Sequence, residues 1–107
     1  MEQPTPEGIK KIFDQFYKAD INIWNAFSKC VRVRRFEKNE IIKDYFKTEK
    51  YINILISGSV AHFVLADEKD ICINLYYENQ IFSDYLSFLT QSSTVIKTIA
   101  LEDTIIW

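Results

Sequence analysis

Up to Cys30 the apolar residues recur at helical spacing, and beyond it the pattern changes to alternation. Ile9, Ile12, Phe13, Phe16 and Tyr17 follow the three-and-four spacing of an amphipathic helix. Thr5 is placed to cap that helix, Pro6 fits its first turn, and Glu7 suits the positive end of its dipole. Asp20 can cap a second, shorter helix carrying Ile23, Trp24 and Phe27. Helices this short depend on packing, so the pair is expected to bury its apolar stripes on itself and on the remainder of the chain.

The remainder reads as strands. Val31 and Val33 alternate with Arg32 and Arg34, and Phe36 leads into the polar turn Glu37-Lys38-Asn39. Residues 40–45 form the next strand, and Ile52, Ile54 and Ile56 alternate in another. Gly58, between Ser57 and Ser59, marks a turn needing positive φ. Residues 60–65 and 71–77 flank the polar loop 66–70 as a hairpin. Ser83 or Asp84 can cap a short helix over Tyr85–Thr90. Residues 95–101 alternate again, Glu102-Asp103 turns, and residues 104–107 open a last strand. Short, evenly spaced strands after two helices predict an antiparallel barrel or jelly roll. The apolar run Ile105-Ile106-Trp107 reads as an edge in need of cover, so the chain is expected to be truncated or to meet a partner there.

Composition narrows the function. The 107 residues suit one domain, and 48% hydrophobic with 26% charged residues is a globular balance. Aromatic residues make up 15%, which suits strands and the space between sheets. A net charge of −2 argues against direct contact with nucleic acid. No basic start followed by an apolar run marks a signal peptide, and no run has membrane-spanning length. A cytoplasmic protein without membrane contact is expected. Cys30 and Cys72 are too far apart for a metal pair and read as ordinary buried or half-buried thiols. Cys30, near Lys29 and Arg32, is the better redox candidate. Two cysteines exclude a four-cysteine iron–sulfur cluster.

Four stretches resemble the Crp/Fnr family, specifically its cyclic-nucleotide-binding-type domain. Phe36-Glu37-Lys38-Asn39-Glu40-Ile41-Ile42 resembles the family's F-x-K-G-E-x-I turn and strand. Ile54-Leu55-Ile56-Ser57-Gly58-Ser59-Val60 is similar to its Y-x-I-x-S-G-x-V. The segment from Asn79 to Thr90 resembles G-x-x-F-G-E-x-x-x-L, which opens the phosphate-binding cassette. Ile99-Ala100-Leu101-Glu102-Asp103 resembles A-x-E-D before the last strands. The resemblance implies a mainly β fold with N-terminal helices: a double-stranded β-helix, or β-roll, of eight strands in two sheets. The helical pair would occupy residues 1–29 and the roll residues 30–107, with the last strand incomplete. It also implies the effector-sensing domain of a bacterial transcription regulator. In that architecture a long helix comes after the roll, mediates dimerisation and leads to a helix-turn-helix domain. DNA would be met only through that domain, which this chain lacks.

Where cyclic-nucleotide binders carry a Gly-Glu pair, this chain has Ser83 and Asp84. Where they place an arginine against the cyclic phosphate and a small residue after it, this chain has Thr94 and Val95. Losing a charge-assisted contact to phosphate removes about 1.5–3 kcal/mol. The departures predict weak or absent binding of cyclic AMP and cyclic GMP. A different small-molecule effector would be met by Ser83, Asp84, Tyr85, Ser87, Thr94 and Val95, with Tyr76 as a wall.

Other residues carry less chemistry. The carboxylates fall mostly in expected turns and read as solvated charges rather than a catalytic pair. His62, the one histidine, shares a strand face with Val60 and Val64 and reads as packed or hydrogen-bonded. One histidine cannot supply a metal-enzyme ligand set. Lys29, Arg32, Arg34, Arg35 and Lys38 form one basic cluster, read as a solvated face. No catalytic residue, metal or cofactor is therefore expected. Three function classes stand: an effector-sensing regulatory domain, a ligand-free dimerisation or interaction module, and a small β-barrel enzyme. The enzyme fares worst, because no nucleophile–base pair can be assembled.

Overall fold

The structure, a computed structural model, describes residues 3–16 and 18–107. Two short helices open the chain, α1 (Pro6–Phe13) and α2 (Ile21–Ser28). Both caps form as expected: the Thr5 hydroxyl accepts from the Gly8 N–H at 3.0 Å, and the Asp20 carboxylate from the Asn22 N–H at 2.8 Å. Helix α1 stops at Phe13, so Phe16 lies beyond it and is largely exposed. Tyr17, expected on the same face, lies outside the described residues. Phe13 stacks on Trp24 at 5.0 Å, and Phe27 meets both rings edge-on. Ile9, Ile12 and Trp24 pack with Ile54 and Trp107, which fastens the helices to a sheet.

Eight strands come after the helices: β1 (Arg34–Phe36), β2 (Ile41–Lys43), β3 (Asn53–Ser57), β4 (Val60–Ala66), β5 (Lys69–Tyr76), β6 (Ile81–Phe82), β7 (Ile96–Ala100) and β8 (Thr104–Ile106). A third helix, α3 (Tyr85–Thr90), lies between β6 and β7. The strands form two antiparallel four-stranded sheets, ordered β1-β8-β3-β6 and β2-β7-β4-β5. Leu55, Val60, Phe82 and Ile106 fill the space between them. This is the expected double-sheet roll.

Four expectations are corrected. The apolar run at 105–107 is not an open edge: β8 pairs with β1 on one side and β3 on the other, and Ile106 and Trp107 are buried. Ile106 packs in the cluster between the sheets and Trp107 in the helical cluster, so the run is apolar because both find cover within the chain. Val31 and Val33 precede β1 and pack on the helical cluster instead of forming a strand. The β4–β5 loop is only Asp67 and Glu68, both at positive φ (50° and 63°), with Ala66 facing Lys69. Cys30 and Cys72 are both exposed. Gly58, at φ 97°, meets its expectation: an added Cβ would lie 2.5 Å from Thr104 Oγ1 and 2.6 Å from the Asp103 carbonyl.

Candidate functional site

The cassette-like segment runs from β6 into α3, and Asp84 is the N-cap of that helix. One carboxylate oxygen, Oδ1, accepts the Ser87 N–H at 3.3 Å. The other, Oδ2, accepts from the Lys43 ammonium at 3.1 Å and from the Thr94 hydroxyl. Lys43 comes from β2 and also donates to Thr94 Oγ1 at 3.0 Å and to the Ile96 carbonyl at 2.8 Å. An ammonium has three donors, and these contacts engage three acceptors. Lys43 and Asp84 are 5% and 6% exposed. Burial alone would raise the Asp84 pKa. The Thr94 hydroxyl, the Lys43 ammonium and the Ser87 N–H outweigh it and hold the carboxyl below the ordinary aspartate range.

A second buried carboxylate stands beside the first. Glu49 Oε1 accepts from the Ser83 hydroxyl and the Asp84 N–H, each at 3.3 Å, and from Asn53 Nδ2 at 3.4 Å. Ser83 bonds more closely to the Tyr51 carbonyl, at 2.6 Å. The fully buried Ser87 hydroxyl accepts the Glu49 N–H at 2.8 Å and donates to the Ser92 carbonyl at 2.6 Å. Asn53 Oδ1 in turn accepts from Arg34, whose guanidinium lies 4.1 Å from the centre of the Tyr51 ring. Burial lowers the Arg34 pKa, Tyr51 and Glu49 temper the effect, and Arg32 adds to it. Arg34, Lys43, Glu49 and Asp84 thus form a linked set of two cations and two carboxylates with no net charge.

Of the residues expected to meet a ligand, Ser83, Asp84, Ser87 and Thr94 come together here. Tyr85 and Val95 do not: they are 45% and 43% exposed. Tyr76 stacks on Phe82 at 5.4 Å and meets the His62 ring at 4.9 Å. Tyr76 and Tyr85 instead share a surface hollow of about 560 Å³ with Asn79 and Gln80.

Lys43, Glu49, Asn53 and Arg34 are missed by the alternation of the sequence. The register of β2 shifts between Ile41 and Lys43, so Ile42 and Lys43 both face inward although they are neighbours. Glu49 sits in a loop, where sequence reading expects a solvated charge. Arg34, expected beside Arg32 on a solvated face, turns inward because β1 starts there and pairs it with buried Ile106.

His62 lies under the same cluster. It is opposite Thr98, which is opposite Lys43, so the three form one row across the second sheet. His62 Nε2 and Thr98 Oγ1 are buried and have no hydrogen-bond partner among the described residues. Burial holds the His62 pKa below the ordinary value, with Asp84 opposing and Lys43 reinforcing the shift. Among the described residues no three His, Cys, Asp or Glu side chains gather as metal ligands, and no helix is long and apolar enough to cross a membrane.

No family model matches the chain, and no curated protein matches it. Solved structures do. The regulatory subunit of a cAMP-independent protein kinase A from Trypanosoma cruzi, bound to guanosine, aligns with a TM-score of 0.77 at 17% identity over 94% of this chain and 37% of that one. The corresponding subunit from Trypanosoma brucei gives 0.81 at 15% identity over 98% of this chain and 39% of that one. That structure is a variant with a glutamate changed to alanine, a threonine to arginine and the next valine to alanine, bound to cAMP in its A site. The sensor domain of the transcriptional regulator DNR from Pseudomonas aeruginosa gives 0.75 at 14% identity over 94% of this chain and 66% of that one. The chain thus spans under two-fifths of the kinase subunits and about two-thirds of the DNR domain. Two packed sheets, a helix between β6 and β7 and these likenesses agree: the chain has the fold of a cyclic-nucleotide-binding domain.

Proposed function

We propose that this chain is the effector-sensing domain, spanning residues 1–107, of a cytoplasmic Crp/Fnr-type transcription regulator, and that it is not an enzyme. Its cassette is closed by its own side chains and takes neither cyclic AMP nor cyclic GMP. The observation that carries this reading is the engagement of Lys43 and Asp84 with each other and with Thr94. A phosphate entering the cassette would find the ammonium donors engaged and a carboxylate beside it. A ribose would find the carboxylate oxygens taken. The regulator would act as a dimer and reach DNA through a helix-turn-helix domain outside this chain.

The Trypanosoma brucei variant supports the reading. There a threonine–valine pair became arginine–alanine in a structure that holds cAMP. Thr94-Val95 is the same pair of residues, in the place the Crp/Fnr resemblance assigns to the arginine and its small neighbour. Calorimetry on the parent and on Thr94→Arg/Val95→Ala tests it. The parent is expected to give no binding heat with millimolar cyclic AMP, and the variant to bind it. Micromolar binding by the parent would overturn the reading. A ligand-free interaction module is the alternative. It is favoured by Ile71, Ile73 and Leu75, about half exposed on the edge strand β5.

A further inference from the structure

The cassette is filled, but the molecule has a second opening lined by other residues. Between the helical layer and the end of the first sheet lies a cavity of about 430 Å³. Phe13, Phe27, Ile54 and Trp107 wall it, and Arg32, Arg34 and Tyr51 line it with them. At roughly 30 Å³ per heavy atom, taking water's share of liquid volume, this space holds about a dozen such atoms. Apolar walls with a few placed charges are the make-up of a small-molecule site.

The charges point to the chemistry of the ligand. Arg32 and Arg34 are two positions apart, and Arg32 disfavours the charge on Arg34. Arg34 is also half-buried, which makes its charge costly. The carboxylate whose charge reaches it, Glu49, directs its Oε1 to Asn53, Ser83 and the Asp84 N–H. A guanidinium has five N–H donors, and the bond to Asn53 engages one of them. An incoming carboxylate could take two more in parallel, relieving the repulsion from Arg32.

We propose that this groove binds an apolar carboxylic acid of about a dozen heavy atoms, its carboxylate on Arg34 and its tail along Phe13, Phe27 and Trp107. Such a ligand would act on the network that closes the cassette, because Arg34 is joined through Asn53 and Glu49 to Ser83 and the Asp84 N–H. The proposal gives the regulatory reading an effector site away from the cassette. Its test is a binding measurement whose outcome does not depend on the cyclic AMP titration.

Decanoate and 1-decanol share a tail and differ in charge, so the pair separates the two contributions. In calorimetry on the 107-residue chain, decanoate is expected to bind one per chain, about tenfold or more tighter than decanol, as a charged hydrogen bond implies. Arg34→Gln should bring decanoate down to the affinity of decanol and leave decanol unchanged, and Arg34→Lys should restore part of the difference. Should Arg34→Gln fail to fold, Arg32→Gln, at an exposed position, should weaken decanoate severalfold without affecting decanol. Equal binding of acid and alcohol, no saturable binding of decanoate, or indifference of decanoate to the arginine substitutions would overturn the proposal.

Discussion

Lys43 shows what one side chain decides. It is a lysine in a short strand, yet its ammonium is buried against Asp84. Removing one partner of a buried pair strands the other charge, which costs about 3–5 kcal/mol. Lys43→Met is therefore expected to lower unfolding free energy by that amount in urea titration, and adding Asp84→Asn should recover much of the loss. A loss under about 1 kcal/mol would instead place the pair in the range of a solvated surface contact. The shifts also set the sign with pH. Asp84 ionises more readily folded than unfolded, so its contribution is present above the ordinary aspartate range and lost as pH falls through the folded value. His62 is held neutral, so its preference for the folded state is present above the ordinary histidine range and is lost as pH falls. Both groups make acid destabilising.

At the scale of elements, the sequence was most readable where turn chemistry and alternation agree. The caps of α1 and α2, the Gly58 turn and α3 all lie where Thr5, Asp20, Gly58 and Asp84 place them. Alternation failed where backbone irregularity intervened. The bulge in β2 turned Lys43 inward, and the register shift between His62 and Phe63 leaves Ile73 of β5 opposite no residue of β4. The β4–β5 hairpin turns on Asp67 and Glu68, both held at positive φ, which a type I′ turn requires and asparagine–glycine meets with less strain. Asp67→Asn/Glu68→Gly is expected to raise stability by about 0.5–1 kcal/mol in thermal or urea unfolding. A decrease would show that the hairpin does not limit stability through its backbone. Charge burial was the other failure. Glu49 and Arg34 carry no local sign of an inward course, because what buries them is a loop folding over the cassette and an edge strand meeting a core strand.

For the whole molecule, one hydrogen-bonded chain joins residues that line two spaces. One is the cassette, occupied by Lys43, Asp84 and Thr94; the other is the groove that Arg34 lines. The architecture and half of the cassette, Ser83, Asp84, Ser87 and Thr94, were legible from short motifs in the right order. The cations that complete the site were not, since they arrive from strands distant in sequence. Closure of the cassette from within is the claim on which the rest depends. Its most direct measure is the side-chain carboxyl resonance of Asp84, tracked by NMR through an acid titration of the parent and of Lys43→Met. A midpoint below the ordinary aspartate range in the parent, moving upward when the lysine is removed, is the expected result. An Asp84 that titrates at or above that range with Lys43 in place, or that ignores its loss, would contradict the closed cassette.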